Sequence, residues 1–270
     1  NGKETVIPTE AYYPLDTTRE DVAASNAVEM SSSQDVAVAA AMGYLDKPYK
    51  VHLLVNAVVP DSPAEAQLRK GDRIISVNGK KLDSEPEAAK VMSETVQSSD
   101  SVDIVVERGG EEVDVTMKPA TIEGRKAIGI TMKQDFEFPV DVAFNVEGIG
   151  GPSAGTMFAL AIIDELTPGA MTGGKHVAGT GEIDPAGNVG PIGGARQKVA
   201  ASTAQGAKLF LSPADNCAEV IEAADQSKIT VARIDTLDDA QNAVEQYAAG
   251  DTSDLKKCPA GGADNNEKGQ

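Results

Sequence analysis

The chain has 270 residues, 41% of them hydrophobic and only 4% aromatic, with no tryptophan and a formal net charge of −18. That length accommodates two ordinary domains with aliphatic cores. The acidity excludes a nucleic-acid role, because phosphate backbones are bound by clustered Lys and Arg, and it argues against attachment to anionic lipid. Apolar runs of the roughly 18 residues that a membrane-spanning helix needs are absent.

In chain order, residues 1–30 read as irregular or extended, with Pro8 and Pro14 as helix breakers. Ser32 and Asp35 resemble a capping box ahead of an Ala-rich helix over Val36–Met42, which Gly43 ends. Strand Val51–Val59, a short helix at Ala64–Leu68 and strand Arg73–Val77 follow. Asn78-Gly79 is a two-residue hairpin signal. A helix over Glu85–Val96, with Pro86 in its first turn, precedes a hairpin of Val102–Glu107 and Glu112–Met117.

The run Val58-Val59-Pro60-Asp61-Ser62-Pro63-Ala64, then Leu68 through Gly79, resembles the PDZ domains of bacterial proteases. Such domains bind extended peptide ends by adding them to a sheet edge. The nearest counterpart of the carboxylate-binding loop in that reading is Gly43-Tyr44-Leu45. A PDZ domain serving only as a packed spacer is the competing reading.

A linker around Ala120–Arg125 leads to a second domain. Its expected strands are Ala127–Met132, Val140–Val146, Val177–Ile183, Val189–Ile192, Lys208–Leu211 and Thr230–Ile234. Its expected helices are Thr156–Leu166, Ala195–Gln205, Ala218–Ala224 and Leu237–Tyr247. The divisions are an N-terminal segment over 1–46, a PDZ domain over 47–119, a second domain over 120–250 and a flexible tail over 251–270. The fold class is α+β: a small β-sandwich or barrel with two helices, then an α/β domain.

The second domain carries the chemistry. Ser153, in Gly151-Pro152-Ser153-Ala154-Gly155, stands at a helix entrance among small residues that make room for a substrate backbone. Free N–H groups at that helix start, around Gly150, Gly151, Pro152 and Ala154, suit an oxyanion. The competing reading of Ser153 is an ordinary N-cap. The only histidines are His52, in a first-domain strand, and His176, read as a surface residue. A lysine acts as base only when neutral, and its free pKa is about 10.4. Burial lowers it, and Lys198 has Ala195, Val199 and Ala201 around it. From its helix alone Lys198 reads first as a solvated lysine on an amphipathic helix. The glycines of this region match neither a nucleotide-binding loop nor a dinucleotide fingerprint, and no cluster has metal-ligand spacing. The expectation is therefore no cofactor, no nucleotide and no metal.

Four linked segments resemble the Lon peptidase domain: Gly151–Gly155, Thr180-Gly181-Glu182-Ile183, Gly187-x-Val189, and Pro191-Ile192-Gly193-Gly194 with Lys198. The resemblance spans about residues 125–248. It implies Ser153 as nucleophile, Lys198 as general base and Thr180 as the residue orienting the lysine. Gly150 departs from the acidic residue often found three positions before the serine in that family. A PDZ domain followed by a Lon domain, with no Walker sequence, is similar to bacterial membrane-anchored PDZ-Lon proteases of the YlbL type. That likeness implies ATP-independent cleavage of unfolded polypeptides on the extracytoplasmic face of the cell membrane, with an anchor upstream of Asn1. A binding or scaffold protein with an inactive Lon-like domain is the alternative. Homo-oligomers are an expectation from the ring-forming members of the family. Cys217 and Cys258 read as two free thiols or as a disulfide, and an oxidising exterior fits the second.

Overall fold

The computed structural model describes residues 18–85, 87–122, 124–146 and 151–259. Expectations that fall on residues 1–17, Pro86, Gly150 and 260–270 lie outside the described residues. The first element is helix α1, Arg19–Tyr44, far longer than the seven-residue helix expected from the sequence. Its start is a capping box one residue type removed from the usual form. Thr18 Oγ1 accepts from the Asp21 N–H (3.1 Å) and Asp21 Oδ2 accepts from the Thr18 N–H (3.0 Å). Neither Gly nor Pro interrupts residues 19–42, a signal that the weak apolar periodicity of this stretch obscured. Met30, Ser33 and Ala37 are buried along one face.

By internal contacts the chain forms two compact units. One comprises Val38–Val142 with Pro185–Gly187; the other takes the described residues up to Ala37, Ala143–Asp184 and those from Asn188 onward.

The first of these is built on strands β1 (Lys50–Val58), β2 (Arg73–Val77), β3 (Lys80–Lys81), β4 (Val102–Arg108) and β5 (Glu111–Met117). Helix α2 (Ala88–Ser98), the two-stranded ribbon β6 (Ala120–Ile122) and β7 (Arg125–Ala127), and strand β8 (Ile130–Glu137) complete it. The antiparallel order is β5-β4-β2-β1-β8, with β3 on β2. Asn78 and Gly79 turn β2 into β3, both at positive φ. Leu53, Val55, Ile74, Leu82, Met92 and Ile104 form its core.

Strand β8 corrects the sequence reading, which placed a strand at Ala127–Met132 in the second domain. It pairs with β1 from Lys50↔Glu137 to Val58↔Ile130, because β1 has an open edge and β8 alternates half-buried and exposed residues as an edge strand does. Val140–Val146 forms no strand. The helix expected at Ala64–Leu68 is a single hydrogen-bonded turn, Leu68 N to Ala64 O at 2.8 Å, since Pro63 and the Lys70-Gly71 turn leave room for no more.

Asp72, 2% exposed, receives two hydrogen bonds from Arg108 (Nε to Oδ1, 2.8 Å; Nη2 to Oδ2, 2.6 Å) and one from the Arg69 N–H. Burial pushes its carboxyl up, but Arg108 and the Arg69 N–H outweigh that and hold it below the usual carboxylate range. Its stabilising contribution is present above the unfolded-state pKa and is lost as pH falls through the lowered folded value. Asp72→Ala strands Arg108 and should cost about 3 kcal/mol, read by urea denaturation at pH 7. A cost within experimental error would show that the pair does not support the sheet.

The second unit contains α3 (Gly155–Leu166), β9 (Val177–Gly179), β10 (Glu182–Ile183), β11 (Val189–Gly190) and α4 (Ala195–Ala204). After them come β12 (Leu209–Pro213), α5 (Cys217–Ala223), β13 (Thr230–Ile234) and α6 (Leu237–Ala249). Strands β13-β12-β9 are parallel, and β10 pairs with β11 as a separate ribbon. Every residue of β12 is buried, as a parallel strand covered on both faces requires. Phe210 packs with Val199 of α4 and Val220 of α5, and α6 packs on β12 and β13. Thr236 caps α6 by accepting from the Asp239 N–H at 3.2 Å.

Residues 251–259, assigned from sequence to a flexible tail, are docked instead. The Arg233 N–H donates to Lys256 O (2.8 Å), Lys257 bridges Ala232, and Leu255 and Cys258 are each 6% exposed. This segment covers the outer edge of β13, and Cys258 is joined to Cys217 in a disulfide. Among the described residues no helix is long and apolar enough to cross a membrane.

Candidate active site

The parallel sheet and two helix starts bring the key side chains together. Ser153 lies in the turn before α3, Thr180 follows the last residue of β9, and Lys198 is in the first turn of α4. Residues beyond the carboxyl ends of parallel strands are where α/β sheets commonly place ligands. Lys198 Nζ is 2.6 Å from Ser153 Oγ and 3.1 Å from Thr180 Oγ1.

Thr180, 1% exposed, donates its hydroxyl hydrogen to Ser153 O at 2.8 Å. With that hydrogen committed, Thr180 Oγ1 can only accept from Lys198. One lysine N–H is thereby held, with Ser153 Oγ 2.6 Å from the same nitrogen. Burial lowers the Lys198 pKa from its ordinary value. Among the described residues no carboxylate forms an ion pair with it.

The turn carrying Ser153 is anchored by its backbone. Ser153 O also accepts from the Gly181 N–H (3.0 Å), and the Thr156 N–H donates to Gly181 O (3.1 Å). Thr156, fully buried, shares its one hydroxyl hydrogen between Gly181 O and Glu182 O, both at 3.2 Å. Gly155 is required by close approach: a Cβ there would sit 2.9 Å from Ile183 Cγ2 and 3.1 Å from Ser33 Oγ.

Of the residues expected to line an oxyanion site, Gly150 lies outside the described residues. The Gly151 N–H is bound by Asn26 O (3.1 Å), and Pro152 has no N–H. The Gly155 N–H bonds Pro152 O at 3.3 Å. The N–H groups of Ser153 and Ala154 are the donors of this turn that bond no described residue.

His176 is exposed, and its carbonyl accepts from the Lys208 N–H. His52 is buried in β1 between Asp83 (2.8 Å) and Glu137 (3.4 Å). Among the described residues no group of three or more His, Cys, Asp or Glu could hold a metal.

Sequence reasoning missed Asn216. Its side chain pairs with the Ile192 backbone in both directions, Oδ1 to the N–H and Nδ2 to the carbonyl, each at 2.9 Å. It thereby fixes the loop that leads into α4 and Lys198. Nothing local in the sequence marks it, because the contact spans 24 residues.

In the other unit, Gly43 and Tyr44 end helix α1 and Leu45 follows it. None of the three lines the cavity of about 240 Å³ between α2 and β8. Met92, Val96, Ile128, Ile130 and Met132 line that cavity, with Arg125 and Lys126 exposed beside it. Gly129 sits at its end with φ +82, and a Cβ there would collide with the Ser62 side chain.

The architecture is thus an antiparallel sheet-and-helix unit combined in one chain with an α/β unit holding a Ser–Lys–Thr cluster. The family model of the Lon protease (S16) C-terminal proteolytic domain matches residues 137–246, and that of the PDZ domain matches residues 27–118. The chain therefore combines a PDZ domain with a Lon-type proteolytic domain. It is 35% identical over 108 residues to a Lon protease of Trichlorobacter lovleyi, covering 39% of this chain and 13% of that protein. A Lon protease of Roseiflexus castenholzii is 41% identical over 78 residues, covering 29% and 10% respectively. Serine protease HTRA1 of Xenopus laevis is 39% identical over 67 residues, covering 24% and 14%. The chain thus spans a small part of the length of each of these relatives. Among solved structures, the PDZ domain of an SdrC-like protein from Listeria monocytogenes aligns at 27% identity with a TM-score of 0.27, covering 30% of this chain and 85% of that one.

Proposed function

We propose that this chain is a serine endopeptidase that cleaves unfolded polypeptide without ATP, using a Ser153–Lys198 dyad. The observation that carries the reading is the 2.6 Å contact between Ser153 Oγ and a half-buried lysine that is unpaired among the described residues. Neutral Lys198 takes the hydroxyl proton as Ser153 Oγ attacks the scissile carbonyl carbon. The carbonyl oxygen becomes an oxyanion facing the N–H groups of Ser153 and Ala154. Collapse breaks the C–N bond, and the Lys198 ammonium returns its proton to the leaving amine. Water then attacks the acyl-enzyme, again giving a proton to Lys198, which restores it to Ser153.

Cleavage of an unfolded protein without nucleotide, compared with Ser153→Ala and Lys198→Ala, tests the reading. Equal cleavage by all three would sink it. A wild type that binds peptide yet cleaves nothing would point to a scaffold. The Cys217–Cys258 bond supports an oxidising, extracytoplasmic location, and membrane anchoring belongs to the same proposal.

The PDZ cavity is read as the recruiting site for peptide ends. Strand β8 ends the sheet, so an extended peptide could add to its outer edge with its terminal side chain in the apolar cavity. Arg125, which has no ion pair among the described residues, suits the terminal carboxylate, whereas Lys126 already pairs with Asp100 at 2.7 Å. Arg125→Glu should weaken binding of a labelled peptide with a free C-terminus about tenfold. The C-terminally amidated peptide should respond little in fluorescence anisotropy. An equal response of both peptides would remove Arg125 from carboxylate recognition.

A further inference from the structure

Helix α1 lies in the chain ahead of the PDZ core, and none of the Lon-like motifs includes it. Its residues up to Ala37 nevertheless belong to the α/β unit. Val22, Asn26, Met30, Ser33 and Ala37 recur at intervals of three and four, so they share one helix face. All five are at least half-buried, whereas Glu20, Asp21, Glu29 and Val28 are exposed.

That face meets the Ser153 turn twice. The Gly151 N–H donates to Asn26 O at 3.1 Å, and Ser33 Oγ donates to Pro152 O at 3.1 Å. Ser33 is 7% exposed, and Gly155 has no side chain where one would press on its hydroxyl. The carbonyls before and after the Ser153 Cα are therefore both tied. Ser33 holds Pro152 O, while Thr180 and Gly181 hold Ser153 O. These ties set the backbone from which Ser153 Oγ reaches Lys198. A hydroxyl buried against a carbonyl, with a glycine opposite it, exceeds what helix packing alone needs, since alanine fills a similar volume.

We propose that Ser33 is a positioning residue for the proteolytic reaction. Helix α1 thereby becomes a component of the catalytic machinery: it orients the nucleophile turn through Ser33 and Asn26 O without touching substrate. The inference rests on the dyad reading above. Loss of the Ser33 hydroxyl leaves Pro152 O with the Gly155 N–H alone, at 3.3 Å, and frees the turn to shift relative to Lys198.

The test uses the full chain with Ser33→Ala, and Ser33→Cys as a near-isosteric variant with a weak donor. Five quantities are measured: kcat and KM on a fluorogenic peptide, the rate of Ser153 labelling by a fluorophosphonate, amide exchange of the peptide containing residues 151–155, and the melting temperature. In both variants kcat and labelling should fall about tenfold or more, because small displacements of reacting groups are costly. KM and melting temperature should stay near wild type, and exchange in the turn should rise. Wild-type kcat in either folded variant overturns the proposal, even if exchange rises, because the tie would then be structural only. If Ser33→Ala does not fold, Ser33→Cys alone decides. A wild type that neither cleaves nor is labelled would refute the dyad reading itself, and this inference with it. That outcome differs from an active wild type with active variants.

Discussion

Ser153→Ala and Lys198→Met are each expected to lower kcat on an unfolded substrate by about 10⁴-fold, the scale seen when one member of a concerted nucleophile–base unit is removed. Lys198→Met keeps an unbranched side chain one atom shorter and removes the nitrogen, so Ser153 loses its only described proton acceptor. The pH dependence has a definite sign. Because burial lowers the Lys198 pKa, the rate should rise with pH as the ammonium deprotonates, and it should do so below the range of an exposed lysine. A flat profile between about pH 6 and 9, with chemistry rate-limiting, would exclude lysine as the base.

The same lowered pKa makes a stability prediction. Between the folded and unfolded pKa values of Lys198 the unfolded chain binds more protons, so stability rises with pH across that window. Below the window the folded protein carries the full penalty of a half-buried ammonium. Lys198→Met removes that penalty and should melt at a higher temperature than wild type at pH 6, with the gain shrinking as pH rises. A variant less stable than wild type at pH 6 would mean that the lysine is well solvated. Loss of activity with gain of stability is the signature of a functional group held in an unfavourable environment.

The second large effect concerns the disulfide. Cys217 and Cys258 are 41 residues apart, and closing a loop of that length stabilises by about 4 kcal/mol in the chain-entropy treatment. Cys258→Ser, or reduction under native conditions, should therefore lower the melting temperature by roughly 10 °C or more. Both cysteines sit in one apolar cluster with Ile192, Ala195 and Val199, so the bridge also closes the core beneath α4. An unchanged melting temperature would show that the bridge contributes little. Mass analysis of unreduced, alkylated protein gives an independent reading: two alkylated thiols would remove the support for an oxidising location.

Much of the site was legible in the sequence. Ser153, Thr180 and Lys198 lie in short segments dense in Gly and Pro, where the backbone geometry is dictated locally, and the structure brings all three within hydrogen-bonding distance. The helices of the α/β unit and strand β13 also follow from local pattern, since Thr230–Ile234 is a short β-branched run closed by a helix cap. Less legible was any partner supplied by distant chain. Ser33 meets Pro152 across 119 residues, and Asn216 meets Ile192 across 24. In one sequence each is an unremarked polar residue. Strand β8 was assigned to the wrong neighbour for the same reason, because alternation reveals a strand but not the edge it joins.

Residue type and local backbone thus set the chemistry on offer: a serine at a helix entrance, no suitably placed histidine, and one lysine behind a second glycine-rich turn. Those are properties of residue type and local backbone, written within a few positions. The burial of that lysine, the hydroxyls that steady the carbonyls beside the serine, and the reach of an upstream helix to the nucleophile turn arise from packing between distant segments. Desolvation and long-range hydrogen bonds depend on what packs around a group. For Ser153, what packs around it comes from Asn26 and Ser33 of α1, from Thr180 and Gly181, and from Lys198.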